Sequence, residues 1–214
     1  CANHMNPPLS YIDPTQVGSI QVLTGIAPVS TGGDSIGGTI KVNSPEPEFA
    51  AAGQSTLLKG QAGSFYRSNG NAKGVNFAAT YATEIWSLNY TGAIAESGNY
   101  HAASDFKAAK LAAADKAWIA GDEVGSSRYK SENQSLSVAM RNAAQLLELR
   151  IGTQNIPYQG FPNQRMDMTG NNSEQVNLRY KSQYEWGTLE ARLYNEHTRH
   201  RMNFGDDKQF WYSN

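Results

Sequence analysis

Two short clusters of metal-affine side chains stand far apart in this chain: Cys1, His4 and Met5, and then His200-Arg-Met202. Thiolate and thioether sulfur are soft ligands that favour Cu(I) over hard cations, and imidazole suits copper as well. Cys1 and Met5 are four residues apart, a spacing that one helical turn or a compact loop can bring onto one ion. Pro7 and Pro8 end any helix soon afterwards. His200 and Met202 are two apart, so on a strand they share a face. A lone cysteine is most often an inert buried residue; the neighbouring methionine is what makes Cys1 a ligand candidate. His4 reads more readily as a polar surface residue than as a ligand. Met166 and Met168 fall in a polar segment, where they could capture an arriving ion but more readily pack a loop. His101 has no evident role. The elements that carry these residues must decide whether the clusters can meet.

Composition narrows those elements. Among 214 residues the net charge is -1, charged residues are 17 %, and Gly and Tyr number 20 and 11. There is no basic surplus to bind nucleic acid. A single Cys cannot form an internal disulfide. No run of about 18 apolar residues exists, so no transmembrane helix is expected. The mean hydropathy is that of a soluble protein, but a transmembrane β-barrel alternates apolar and polar residues and also averages low. No basic-then-apolar leader precedes the chain and its first residue is not Met. Position 1 is therefore expected to arise by processing or to lie inside a longer protein, a lipidated mature Cys1 being the lesser alternative. No nucleophile–base motif or open catalytic metal pattern appears, and four scattered His are too few to suggest a hydrolase, so an enzyme is not expected.

Residues 1–48 differ in texture from the rest. Val17 to Gly25 reads as a short strand ending at a glycine turn, and Thr31 to Val42 as a Gly-rich turn entering a second strand. Pro45 and Pro47 stop that strand. A phosphate-binding loop is a poor fit to these glycines, because no Gly-Lys-Ser/Thr ending and no helix pattern follows.

From about residue 54 the pattern has period two. The apolar series are Val75, Phe77, Ala79; Trp86, Leu88, Tyr90, Ile94; Leu136, Val138, Met140; Leu147, Leu149, Ile151; Val176, Leu178, Tyr180; and Leu189, Ala191, Leu193. With a weaker strand near 54–66 they predict about seven strands. Short turns are expected near 83–85, 142–145 and 185–188, and long polar connections near 98–130 and 155–173. Short turns on one side and long loops on the other are the outer-membrane barrel pattern. Tyr66, Tyr81, Trp86, Tyr184 and Trp186 lie near strand ends, where an aromatic girdle would place them. Residues 102–120 have helix-forming composition. A soluble β-sandwich is the competing fold, disfavoured by the strand lengths and lopsided loops.

The first 48 residues resemble the C-terminal half of the plug of a TonB-dependent receptor. The likeness rests on Ile20-Gln-Val22-Leu-Thr-Gly25, Gly32-Gly33, and Ile36-Gly-Gly-Thr-Ile40-Lys-Val42, followed by proline and a barrel-like remainder. The resemblance implies an all-β fold: residues 1–48 as part of a plug, and 49–214 as the N-terminal portion of a transmembrane antiparallel β-barrel. Within that family, Cys1-x-x-x-Met5 together with His200-x-Met202 looks like the copper-receptor branch, where such motifs on plug and barrel form a copper site. Carried over, Cys1, Met5, His200 and Met202 would be the ligands, an S3N set soft enough for Cu(I) and usable by Cu(II). Zinc sites seldom rely on thioethers. Binding would deprotonate Cys1, so affinity should fall at low pH.

What the resemblance implies is TonB-dependent copper uptake across a bacterial outer membrane, with the TonB–ExbB–ExbD complex, membrane lipid and copper as partners. A siderophore receptor of the same superfamily is the first alternative, and a passive porin or structural β-protein the second. The chain lacks a TonB box and the first half of a plug, and ends after about seven strands where the family closes with roughly twenty-two. It is therefore expected to be part of a larger protein. Register supplies a separate expectation. If Leu189, Ala191 and Leu193 face lipid, then Glu190, Arg192, Tyr194, Glu196, Thr198, His200 and Met202 face the lumen, and His197 falls on the lipid-facing parity.

Overall fold

The computed structural model of the chain describes residues 8–26, 28–31, 37–107, 119, 121–205 and 208. It divides into two compact units, Cys1–Pro47 and Glu48–Asn214. In the first, β1 (Ser19–Thr24) and β2 (Gly38–Asn43) form an antiparallel pair, Ser19 opposite Asn43 and Thr24 opposite Gly38. Gly38 has φ +124°, and a Cβ there would stand 2.7 Å from the carbonyl oxygen of Leu23, so the entry to β2 requires glycine. Gly32, Gly33 and Ile36, which carried part of the resemblance, lie outside the described residues.

The second unit converts the period-two pattern into one seven-stranded antiparallel sheet. Its strands are β3 (Leu57–Arg67), β4 (Ala72–Ala82), β5 (Trp86–Ser97), β6 (Tyr129–Arg141), β7 (Gln145–Gln159), β8 (Asp167–Tyr184) and β9 (Gly187–Asn203), each paired with the next. Among the described residues the helical elements are short 3-10 turns and the single helical position Lys208; the fold is all-β. Among the described residues no helix is long and apolar enough to cross a membrane, which says nothing against crossing by strands.

Side-chain burial is inverted relative to a water-soluble sheet. Leu149 is 39 % exposed while its neighbour Glu148 is 5 % exposed. The same holds across the sheet: Val138, Leu88, Val176 and Leu193 are exposed, whereas Ser137, Ser87, Arg179 and Ser182 are buried. Directly opposed residues share a face, and the register Leu88–Val138–Leu149–Leu178–Leu193 runs through five strands. That row lies within an outward apolar band, and the residues between form an inward polar face, as a transmembrane barrel wall requires.

The short turns follow from local chemistry. The Thr83 hydroxyl accepts from the backbone N–H groups of Ile85 and Trp86, at 3.2 and 3.1 Å. Asn142 closes its turn by accepting from the N–H of Ala144 and Gln145. Aromatic pairs flank two turns at this end: Tyr81 and Trp86 edge to face, with centroids 5.3 Å apart, and Tyr184 and Trp186 stacked at 5.1 Å. They occupy the girdle position expected of them.

One expectation about the opposite end is corrected. The segment 155–173 is not a long loop: β7 runs to Gln159 and β8 starts at Asp167. Strands β7, β8 and β9 have 15, 18 and 17 residues, where about 9–11 suffice to span a bilayer. They continue beyond the apolar band, where both faces carry polar residues and the alternation that marks a strand in sequence disappears. The β3–β4 connection at this end is likewise short, a turn at Asn69–Asn71. Within the β5–β6 connection, His101 bridges Glu123 and Lys107 bridges Gly121; most of the helix-forming stretch 102–120 lies outside the described residues.

Candidate metal-binding site

His200 and Met202 sit near the end of β9, seven and nine residues past Leu193, on the inward parity. The inward face of β9 below them is a continuous polar ladder. Arg192 and Arg179 both hold Glu190, with nitrogen–oxygen distances of 2.7 and 3.1 Å, and Arg179 reaches Glu148, which Arg150 also holds at 2.8 Å. Above these, Tyr194 and Thr198 donate to Glu196, which also accepts from Ser173 at 3.0 Å. Every such group is inward because a one-residue slip would move the whole set into lipid. The ladder thus fixes the face on which His200 and Met202 emerge.

At the top of the ladder, Asn171 lies opposite His200 and Met168 opposite Met202. A register shift between Met168 and Gly170 separates the two pairs, the kind of irregularity that re-aims a side chain. The Nδ1 of His200 is 3.1 Å from Asn171 Oδ1. That oxygen only accepts, so the contact is a hydrogen bond in the tautomer that carries its proton on Nδ1, which leaves a lone pair on Nε2. Both His200 and Met202 are half-buried.

The other sequence-derived candidates are placed as follows. Cys1, His4 and Met5 lie outside the described residues. Met168 is not in a loop but is the second residue of β8, and at 1 % exposure it is packed into the strand pair rather than displayed to arriving ions. Met166 lies in the β7–β8 connection. His197 is on the outward face of β9, opposite Glu174. His101 is exposed in the β5–β6 connection, its Nδ1 2.9 Å from Asp122 Oδ1. The hydrogen bond donated to Asp122, reinforced by the charges of Asp122 and Glu123, raises the imidazole above its ordinary range. Among the described residues no group of three or more His, Cys, Asp or Glu gathers that could hold a metal ion; a site using His200 and Met202 needs ligands from elsewhere.

One cluster at this end had no signal in the sequence. Asp167, the first residue of β8, accepts through Oδ2 from the Ser126 hydroxyl at 2.6 Å and through Oδ1 from the Phe161 N–H at 2.9 Å. Lys208 donates to the same carboxylate and, at 2.7 Å, to the carbonyl of Phe161. Gly205 lies so close that a Cβ there would collide with the Asp167 carboxylate. One buried carboxylate thereby gathers the β5–β6 connection, the β7–β8 connection and the chain leaving β9. Ser126, Phe161, Asp167 and Lys208 are too dispersed to form a motif.

An antiparallel meander with an inward polar ladder, an outward apolar band and short turns at one end has the fold of a transmembrane β-barrel wall. Solved structures carry that likeness. The copper transporter OprC superposes with a TM-score of 0.71 at 24 % identity, over 94 % of this chain. The ferric enterobactin receptor PfeA in complex with BCV-L6 superposes with 0.58 at 16 % identity, over 89 %. A mutant of that receptor from Pseudomonas aeruginosa, in complex with enterobactin, gives 0.58 at 17 %. The chain spans 29 % of each of those chains. No family model matches the sequence, and no curated protein matches it significantly.

Proposed function

We propose that this chain is part of a TonB-dependent importer that carries copper across the bacterial outer membrane. Residues 1–48 would belong to the plug and 49–214 to the barrel. The observation that carries this reading is the placement of His200 and Met202 on the inward face of β9, beyond the apolar band, with the imidazole held by Asn171. The likeness to a copper transporter supports it. Cys1 and Met5 would complete an S3N set for the transported ion, favouring Cu(I) and tolerating Cu(II). Splitting the ligands between two units has a mechanical use. When the TonB–ExbB–ExbD complex draws on the plug, the ligands part and affinity for the cargo falls. The protein acts by binding and release, not by catalysis.

The test is copper binding by the whole membrane-embedded protein. His200→Ala, Met202→Leu and Cys1→Ser should each weaken Cu(I) binding by roughly a hundredfold or more, since even outer-shell changes cost about 10–100-fold. Unchanged affinity in any one of the three would refute the reading. A second reading, uptake of a metal chelate, is favoured by the likeness to a ferric enterobactin receptor and by Arg192 and Tyr194 on the inward face. It predicts binding of a ferric siderophore, and indifference to Cys1→Ser.

A further inference from the structure

Asn171 is 2 % exposed and links His200 to two further strands through side-chain amides alone. Its Nδ2 donates to Gln154 Oε1 on β7 at 3.3 Å, and Gln154 Nε2 donates to Asn133 Oδ1 on β6 at 2.8 Å. Asn133 is itself buried. Read from β9 to β6, every donor in the series His200 Nδ1, Asn171 Nδ2, Gln154 Nε2 points the same way. Hydrogen bonds aligned in this manner polarise one another. The opposite tautomer of His200 would place a lone pair on Nδ1, facing the Asn171 carbonyl oxygen. Relieving that clash requires Asn171 to turn over, which then sets its oxygen against Gln154 Oε1 and forces a second reversal. The alternative therefore costs a concerted flip of buried amides rather than one ring rotation.

We infer that Asn171, backed by Gln154 and Asn133, is a positioning residue that locks His200 in the Nδ1–H tautomer and so commits Nε2 to the metal ion. The inference rests on the copper reading for its purpose, but the tautomer itself is a property of the metal-free protein. Ligating imidazoles that donate their second N–H to a fixed acceptor hold the metal more tightly, and loss of the acceptor costs about 10–100-fold in affinity. Nothing in the sequence motif names Asn171: it lies opposite His200 only because of the β8–β9 register.

Three forms of the whole protein with labelled histidine test this. In the unaltered protein without copper, nitrogen NMR of His200 should report a proton on Nδ1. Asn171→Leu should mix the two tautomers and weaken Cu(I) binding about 10–100-fold. Asn171→Asp keeps an acceptor for Nδ1–H and should restore both the tautomer and most of the affinity. A proton on Nε2 in the unaltered protein, or full Cu(I) affinity in Asn171→Leu while His200→Ala abolishes binding, would overturn the inference and leave the copper reading standing. If His200→Ala itself binds Cu(I) normally, the copper reading falls and the metal-positioning role of Asn171 falls with it.

Discussion

Lys208 and Asp167 form a buried ion pair that joins the chain leaving β9 to the start of β8. Met202 and Met168, the last inward pair before that junction, are held between the pair and the polar ladder below. The end of β9 is thus fixed from both sides, by a charge network beneath His200 and by a buried carboxylate beyond Met202.

Removing one partner of a buried pair strands the other charge, at a cost of about 3–5 kcal/mol, whereas replacing both by apolar groups can be nearly neutral. Lys208→Met or Asp167→Leu alone should therefore loosen this rim. Amide exchange at Phe161, whose N–H is held by Asp167, should accelerate in either single variant. The double variant should regain overall stability relative to either single variant but not protection at Phe161, whose N–H has then lost its acceptor. Equal exchange in all forms would mean that the pair does not hold the rim.

The face assignment has its own test. Leu149 points outward within the apolar band, and Leu149→Arg should destabilise the folded barrel in lipid by about 2–4 kcal/mol. Gln61, on the inward parity of β3, should accept Gln61→Arg with little loss. Reversible unfolding in bilayers measures both. The reverse outcome, with Leu149→Arg tolerated and Gln61→Arg damaging, would put the register on the wrong face.

Acid and alkali should act separately on the β5–β6 connection. The hydrogen bond to Asp122 raises His101, and the hydrogen bond from His101 lowers Asp122. A raised folded pKa contributes fully below the ordinary histidine range and is lost as pH rises through the elevated value. The lowered carboxylate contributes above the ordinary carboxylate range and is lost as pH falls through its depressed value. The connection should be most ordered between those limits. The N–H of Ala102, donated to Asp122 O at 2.8 Å, should show greatest exchange protection there. His101→Gln should flatten the alkaline limb; an unchanged profile would separate the contact from loop order.

How much of this was legible in the sequence follows the physics of each region. Within the apolar band the two faces of a strand meet different solvents, so Leu147, Leu149 and Ile151 alternating with Glu148 and Arg150 gave strand, register and face together. Past the band both faces are wet, and Asn155, Asn171 and Asn172 carried no sign that β7 and β8 continue. That blindness hid the partners of the candidate site. His200 and Met202 were visible as a motif, but Asn171 and Met168 become their neighbours only through a register with a bulge. The Asp167–Lys208 pair was hidden for a different reason: its members meet through loop closure, which no periodicity encodes.

The most direct measurement is anomalous scattering at the copper edge from crystals of the whole protein grown with Cu(I), alongside the Cys1→Ser variant. The account predicts one strong peak bonded to Cys1 Sγ, Met5 Sδ, His200 Nε2 and Met202 Sδ, lost in the variant. A peak that persists in Cys1→Ser, or copper bound away from His200 and Met202, would contradict it.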